Sequence, residues 1–286
     1  MRKNNQKSQK AVLNHFWSLA IVICLLLCIF AVIFSSVVGH VPQPKKEKVA
    51  ATPEVTDALE SGEPTATPAP TPTPGAIQKS TSSASLSETS DGGAEYLNQI
   101  YFFGDGSLST LNDENLLSGE ESAQQVWIPG AEILDLNILS TTTYVSPVTG
   151  NNVPAAEVVE VNHPKYVIIL PSVDNVQDVT ESELKNAYTT LIGSIMLEDP
   201  ETVIILSSLT PVTESYVGDE TNEQINTVNG WIAAAAEQNS VKYLDAAYAM
   251  AGADGYLPET YSNDGAHLGI AGLKAWLEVV RTHVPG

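Results

Sequence analysis

The chain has 286 residues and a net charge of −21, with 34 Asp and Glu against 13 Lys and Arg. Charge of this sign repels phosphate backbones and anionic surfaces, which speaks against nucleic acid as a partner. Its two cysteines, Cys24 and Cys28, sit in one apolar run, so the rest of the chain has no disulfide, thiol nucleophile or cysteine metal site.

In chain order, residues 1–15 form a basic tail carrying Arg2, Lys3, Lys7 and Lys10. Residues 16–38 are almost continuously apolar, broken only by Ser18, Ser35 and Ser36. The run exceeds the ~20 residues a helix needs to cross a bilayer. It is also longer than the ~7–15 residue core of a cleaved signal peptide. A single transmembrane helix is therefore expected, with Trp17 at the interface. Lys45, Lys46 and Lys48 nearly balance the basic tail, so the stalk that follows decides the expected orientation: N-terminus cytoplasmic, the long remainder extracellular.

Residues 39–95 read as a disordered stalk. They hold a proline-threonine tract at 65–74, which favours extended polyproline II, and a Ser/Thr-rich run at 80–90 with too little apolar surface to fold.

Residues 96–286 read as one globular domain. Apolar runs at 99–103, 125–128, 166–170, 202–207 and 241–244 predict five strands. Thr180 and Glu183 form a capping-box pattern before a helical face of Leu184, Tyr188, Leu191, Ile192 and Ile195. Further helices are predicted over 221–238 and 270–283, the last with Leu273, Trp276, Leu277 and Val280 on one side. Alternating strands and helices imply a mostly parallel sheet covered on both faces. Chemistry then belongs in the loops beyond the carboxyl ends of the strands.

Two such loops stand out. Gly104, Asp105, Gly106 and Ser107 follow the first strand, and Asp264 lies three residues before His267 ahead of the last helix. A serine hydroxyl becomes a nucleophile when a base takes its proton, and an imidazole serves if a carboxylate fixes its tautomer. The globular domain offers only His163, His267 and His283 as bases, and His283 at a helix C-terminus has an ordinary electrostatic role. Spacing alone also fits a glycine turn and a helix cap. A metal site of His267, Asp264 and Asp105 is disfavoured, because no compact ligand motif such as H-E-x-x-H is present.

The domain resembles the SGNH hydrolases, or GDSL-type esterases and acylhydrolases. Phe103, Gly104 and Asp105 resemble the start of their first block. Asp264, His267, Leu268, Gly272 and Trp276 resemble their last. Residues 204–211, 222–229 and 243–245 look like the stretches between. The resemblance implies a three-layer α/β/α fold, flavodoxin-like, around a five-stranded sheet. It also implies ester hydrolysis through an acyl-enzyme without a cofactor or metal. The implied catalytic residues are Ser107, His267 and Asp264, with Asp105 beside them and Gly130 and Asn175 as candidate oxyanion donors.

Two departures leave alternatives open. Gly106 stands where the family has its serine unless one glycine is inserted; without the insertion the domain is an inactive carbohydrate-binding or scaffold module. The third block has Pro171, Ser172, Val173, Asp174 and Asn175 in place of Gly-x-Asn. The expectation is a membrane-anchored serine esterase acting on O-acylated (first of all acetylated) cell-wall or surface polysaccharide.

Overall fold

A computed structural model describes residues 75–119, 122–174 and 176–286. The predicted membrane span, the basic tail and the stalk up to residue 74 lie outside the described residues. Among those described, no helix is long and apolar enough to cross a membrane.

Helix α1 (Gly93–Leu97) leads into β1 (Ile100–Gly104), and a 3-10 turn (Gly106–Leu108) runs into α2 (Ser109–Asp113). Then follow β2 (Val126–Pro129), β3 (Thr143–Val145), β4 (Asn152–Pro154), α3 (Ala155–Asn162), β5 (Tyr166–Leu170) and α4 (Glu181–Glu198). The chain closes with β6 (Val203–Ser207), α5 (Asn222–Gln238), β7 (Lys242–Leu244), α6 (Ala246–Met250) and α7 (Ile270–Arg281).

The sheet order is β4-β3-β2-β1-β5-β6-β7. β2, β1, β5, β6 and β7 are parallel, while β3 and β4 join antiparallel at one edge. The parallel part is therefore a doubly wound 2-1-3-4-5 arrangement with its switch point between β1 and β5. These two strands are buried at every residue, as expected of strands covered on both faces.

Side-chain alternation divides the core. Tyr101, Phe103, Val167 and Ile169 pack with α3, α4 and α5. Ile100, Phe102, Ile168 and Leu170 face the other way, against Leu111 of α2, Met250 of α6 and Trp276 of α7. Local signals set the helix starts: the Thr180 hydroxyl accepts from the Glu183 N–H, and Thr221 and Gln224 form a reciprocal capping box.

Two expectations need correction. The sheet has seven strands, not five. β3 and β4 have three residues each, and Tyr144 is the one fully buried residue between them, too little for a periodic signal. The stalk also ends earlier than residue 95, because the Ser/Thr-rich run lies along the domain. Ile77 is buried, Leu86 N–H donates to Tyr243 O (2.8 Å) and Tyr243 N–H to Ala84 O (2.9 Å), which extends the sheet at the β7 edge. Ser80 N–H donates to Asp245 Oδ2 (2.7 Å), and Arg281 pairs with Asp91 (2.8 Å).

Candidate active site

The loops after β1 and β5 meet the loop before α7 at the carboxyl edge of the sheet. β1 can end there because Gly104 lacks a side chain: a Cβ would lie 2.8 Å from Leu170 O and closer still to Leu108. Asp105 is extended and caps the 3-10 turn, accepting from Ser107 N–H (2.8 Å) and from the Ser107 hydroxyl. Burial pushes the Asp105 carboxyl up, and the two Ser107 bonds oppose that only in part.

The structure separates Ser107 from Gly106. Ser107 lines a pocket of about 10 Å³ with Asp105, Val173, Thr210, Ala266 and His267, so the predicted serine and histidine share one wall. Gly106 backs onto the loop after β2. Its N–H donates to Glu132 O (2.6 Å), and a Cβ would lie 3.0 Å from Glu132 Cβ.

Asp264 holds its own loop together. Its Oδ1 accepts from Ala266 N–H (2.9 Å), His267 N–H (2.9 Å) and the Ser262 hydroxyl (3.0 Å). Its Oδ2 lies 2.8 Å from His267 Nδ1. The bend needs Gly265, at φ 93°, where a Cβ would also meet Thr213 Oγ1 at 2.9 Å. Burial alone would raise the Asp264 carboxyl; the two backbone N–H groups, His267 and Ser262 outweigh it and hold it well below the usual carboxylate range.

The other imidazole nitrogen is also engaged. His267 Nε2 lies 3.1 Å from Asp174 Oδ2, and the Ser172 hydroxyl donates to that same oxygen. Burial would lower the His267 pKa, but the bonds to Asp264 and Asp174 prevail and raise it to about 9. Between two carboxylates the imidazole is an imidazolium at neutral pH, with both nitrogens donating and no lone pair free for a proton. Ser107 meanwhile donates to Asp105.

The remaining predicted residues fall elsewhere. Gly130 lines a separate cleft of about 330 Å³ with Asn112, Glu132 and Val145, not the Ser107–His267 pocket. Asn175 lies outside the described residues. Val173, which does line the pocket, carries no side-chain donor. His163 pairs with Asp199 at 3.0 Å, and His283 Nδ1 donates to Val279 O at 2.8 Å, both away from the site. Among the described residues no cluster of three or more His, Cys, Asp and Glu is arranged to hold a metal. Sequence reading missed the Asp174–His267 contact; its one signal was a carboxylate four residues past the end of a buried strand.

Three loops thus meet at the carboxyl edge of a doubly wound α/β sheet. The chain belongs to the GDSL-like lipase/acylhydrolase family, whose model matches residues 128–275. That stretch contains Asp264 and His267 and begins after Ser107. Solved structures of similar outline include an acetyl xylan esterase (14% identity, TM-score 0.42, 63% of this chain and 95% of that one). Another is a GDSL-like lipase from Bacteroides thetaiotaomicron (14% identity, TM-score 0.40, 65% and 87%). A peptidoglycan O-acetylesterase is similar at 12% identity and TM-score 0.37, over 44% of this chain and 38% of that one. Comparison with curated proteins gives no match.

Proposed function

We propose that this chain is a membrane-anchored, extracytoplasmic serine esterase that removes O-acyl groups, acetyl first among them, from cell-wall or surface polysaccharide. One observation carries the reading: Ser107 and the Asp264-held His267 line the same pocket at the switch point of the sheet. Family membership supports ester chemistry. The apolar run at 16–38 and the proline-threonine tract support a tethered domain outside the cell, and the acidic surface favours an uncharged glycan.

In this mechanism Ser107 Oγ attacks the ester carbonyl while its proton passes to His267 Nε2, with Asp264 orienting the ring through Nδ1. The tetrahedral intermediate collapses, the sugar oxygen leaves with the proton from Nε2, and a water activated by the same nitrogen hydrolyses the acyl-serine. Before the first step His267 must lose its Nε2 proton to solvent and exchange Asp174 for Ser107, and Ser107 must leave Asp105.

A second reading has a specific observation behind it. The Ser107 N–H donates to Asp105 and the Gly106 N–H to Glu132, so neither is free for an oxyanion, and both His267 nitrogens are taken. A non-catalytic carbohydrate-binding or scaffold domain fits that arrangement. The two readings separate on a fluorophosphonate probe applied between pH 7 and 10, with the adduct mapped by mass spectrometry. A tag on Ser107 that disappears in His267→Ala supports the esterase. A folded chain untagged throughout turns the function to binding.

A further inference from the structure

Asp174 is a carboxylate on the catalytic histidine that the mechanism does not use. It follows β5, half-buried, with one carboxylate oxygen shared between the Ser172 hydroxyl and His267 Nε2. Ser172 is itself fully buried and tied by its N–H to Leu134 O (3.2 Å), so Asp174 is held from a rigid part of the loop. Nε2 is the nitrogen that must receive the serine proton, because Nδ1 is committed to Asp264 at 2.8 Å. The Ser107 hydroxyl is turned to Asp105. Two carboxylates thus keep apart the two partners of the first proton transfer. The pocket they share holds about 10 Å³, the space of one water.

We propose that Asp174 is a positioning residue that parks His267 Nε2 away from Ser107 in the resting protein and gives it up when an ester occupies the pocket. The inference rests on the serine-esterase reading. The charged groups that act most strongly on the imidazole are carboxylates: Asp264 from its own loop, Asp174 after β5 and Asp105 after β1. From the segment after β6, Tyr216 comes near enough to feel Asp174 and Asp264, and its hydroxyl, bonded to Glu220, is kept protonated. With the imidazole titrating at about 9, roughly one molecule in a hundred carries it neutral at pH 7. Freed of Asp174 it would titrate lower, and a larger share of molecules would carry it neutral at pH 7.

The test uses the full chain and its Asp174→Asn and Asp174→Ala variants. p-Nitrophenyl acetate turnover is followed from pH 6 to 10, and the His267 titration is read by NMR on 13C-histidine-labelled protein, assigned with His267→Ala. The proposal expects wild-type turnover to inflect near pH 9. Both variants should inflect at least one unit lower, run about ten times faster or more at pH 7, and converge with wild type at pH 10. A merely structural Asp174 would scale turnover equally at all pH values and leave the inflection in place, which overturns the proposal. A His267 titration unmoved by Asp174→Asn also overturns it. Turnover in the variants alone supports it. Absence of turnover from all three proteins at every pH removes the esterase reading, and the proposal with it.

Discussion

Replacing Gly106 by serine restores the family's Gly-Asp-Ser order, and so asks directly which residue holds the nucleophile seat. A Cβ at position 106 would come 3.0 Å from Glu132 Cβ and 3.4 Å from Glu132 O. Glu132 has little room to retreat: its φ is 61°, and its carbonyl accepts the Gly106 N–H at 2.6 Å. Overpacking of this kind costs about 1–3 kcal/mol, against roughly 0.5 kcal/mol gained by removing a glycine from the unfolded chain. Gly106→Ser should therefore lose about 1 kcal/mol, a fall of about 0.5 M in the urea midpoint at an m-value near ~2 kcal/mol/M. Fluorophosphonate labelling should stay on Ser107, and Gly106→Ser combined with Ser107→Ala should not label. A tag on residue 106 in the double variant, with no loss of stability, would refute the assignment of Ser107 and with it the inserted-glycine reading.

Two further outcomes follow from the same geometry. His267 has its folded pKa raised to about 9, so its stabilising share is complete below an unfolded value of ~6.5 and is lost as the pH rises through about 9. Asp264, held low, contributes above the ordinary carboxylate value of ~3.9 and loses that share as the pH falls through its own lower value. Urea midpoints should therefore fall on the alkaline side between pH 6.5 and 9, and His267→Ala should flatten that fall; an unchanged alkaline limb would show the imidazolium contact to be absent in solution. Starting the chain at Tyr96 rather than Gly75 removes the two backbone bonds to Tyr243 and the burial of Ile77. The loss is roughly 3 kcal/mol before regained chain entropy is subtracted, so equal midpoints for the two starts would show the segment to be dispensable.

The five parallel strands were legible because strands buried on both faces must be apolar throughout, as the buried runs at Ile100–Gly104 and Tyr166–Leu170 are. Capping side chains and apolar periodicity marked α4, α5 and α7. The Asp264–His267 pair was equally visible, since a three-residue turn brings the carboxylate to Nδ1 without help from the rest of the fold. These features are local: the residues that cause them lie within a turn or two of each other.

Tertiary structure alone decided the rest. The run at 80–90 has no periodicity of its own, and lies in place because the β7 edge offers Tyr243 N–H and C=O to backbone far away in sequence. Whether position 106 or 107 faces the histidine depends on Glu132, which closes one side of the turn. Asp174 meets His267 across 93 positions only because the loop after β5 and the loop before α7 come to the same edge of the sheet. Local sequence specifies turns, caps and strand burial; which loops share a pocket is set by strand order, a property of the assembled sheet.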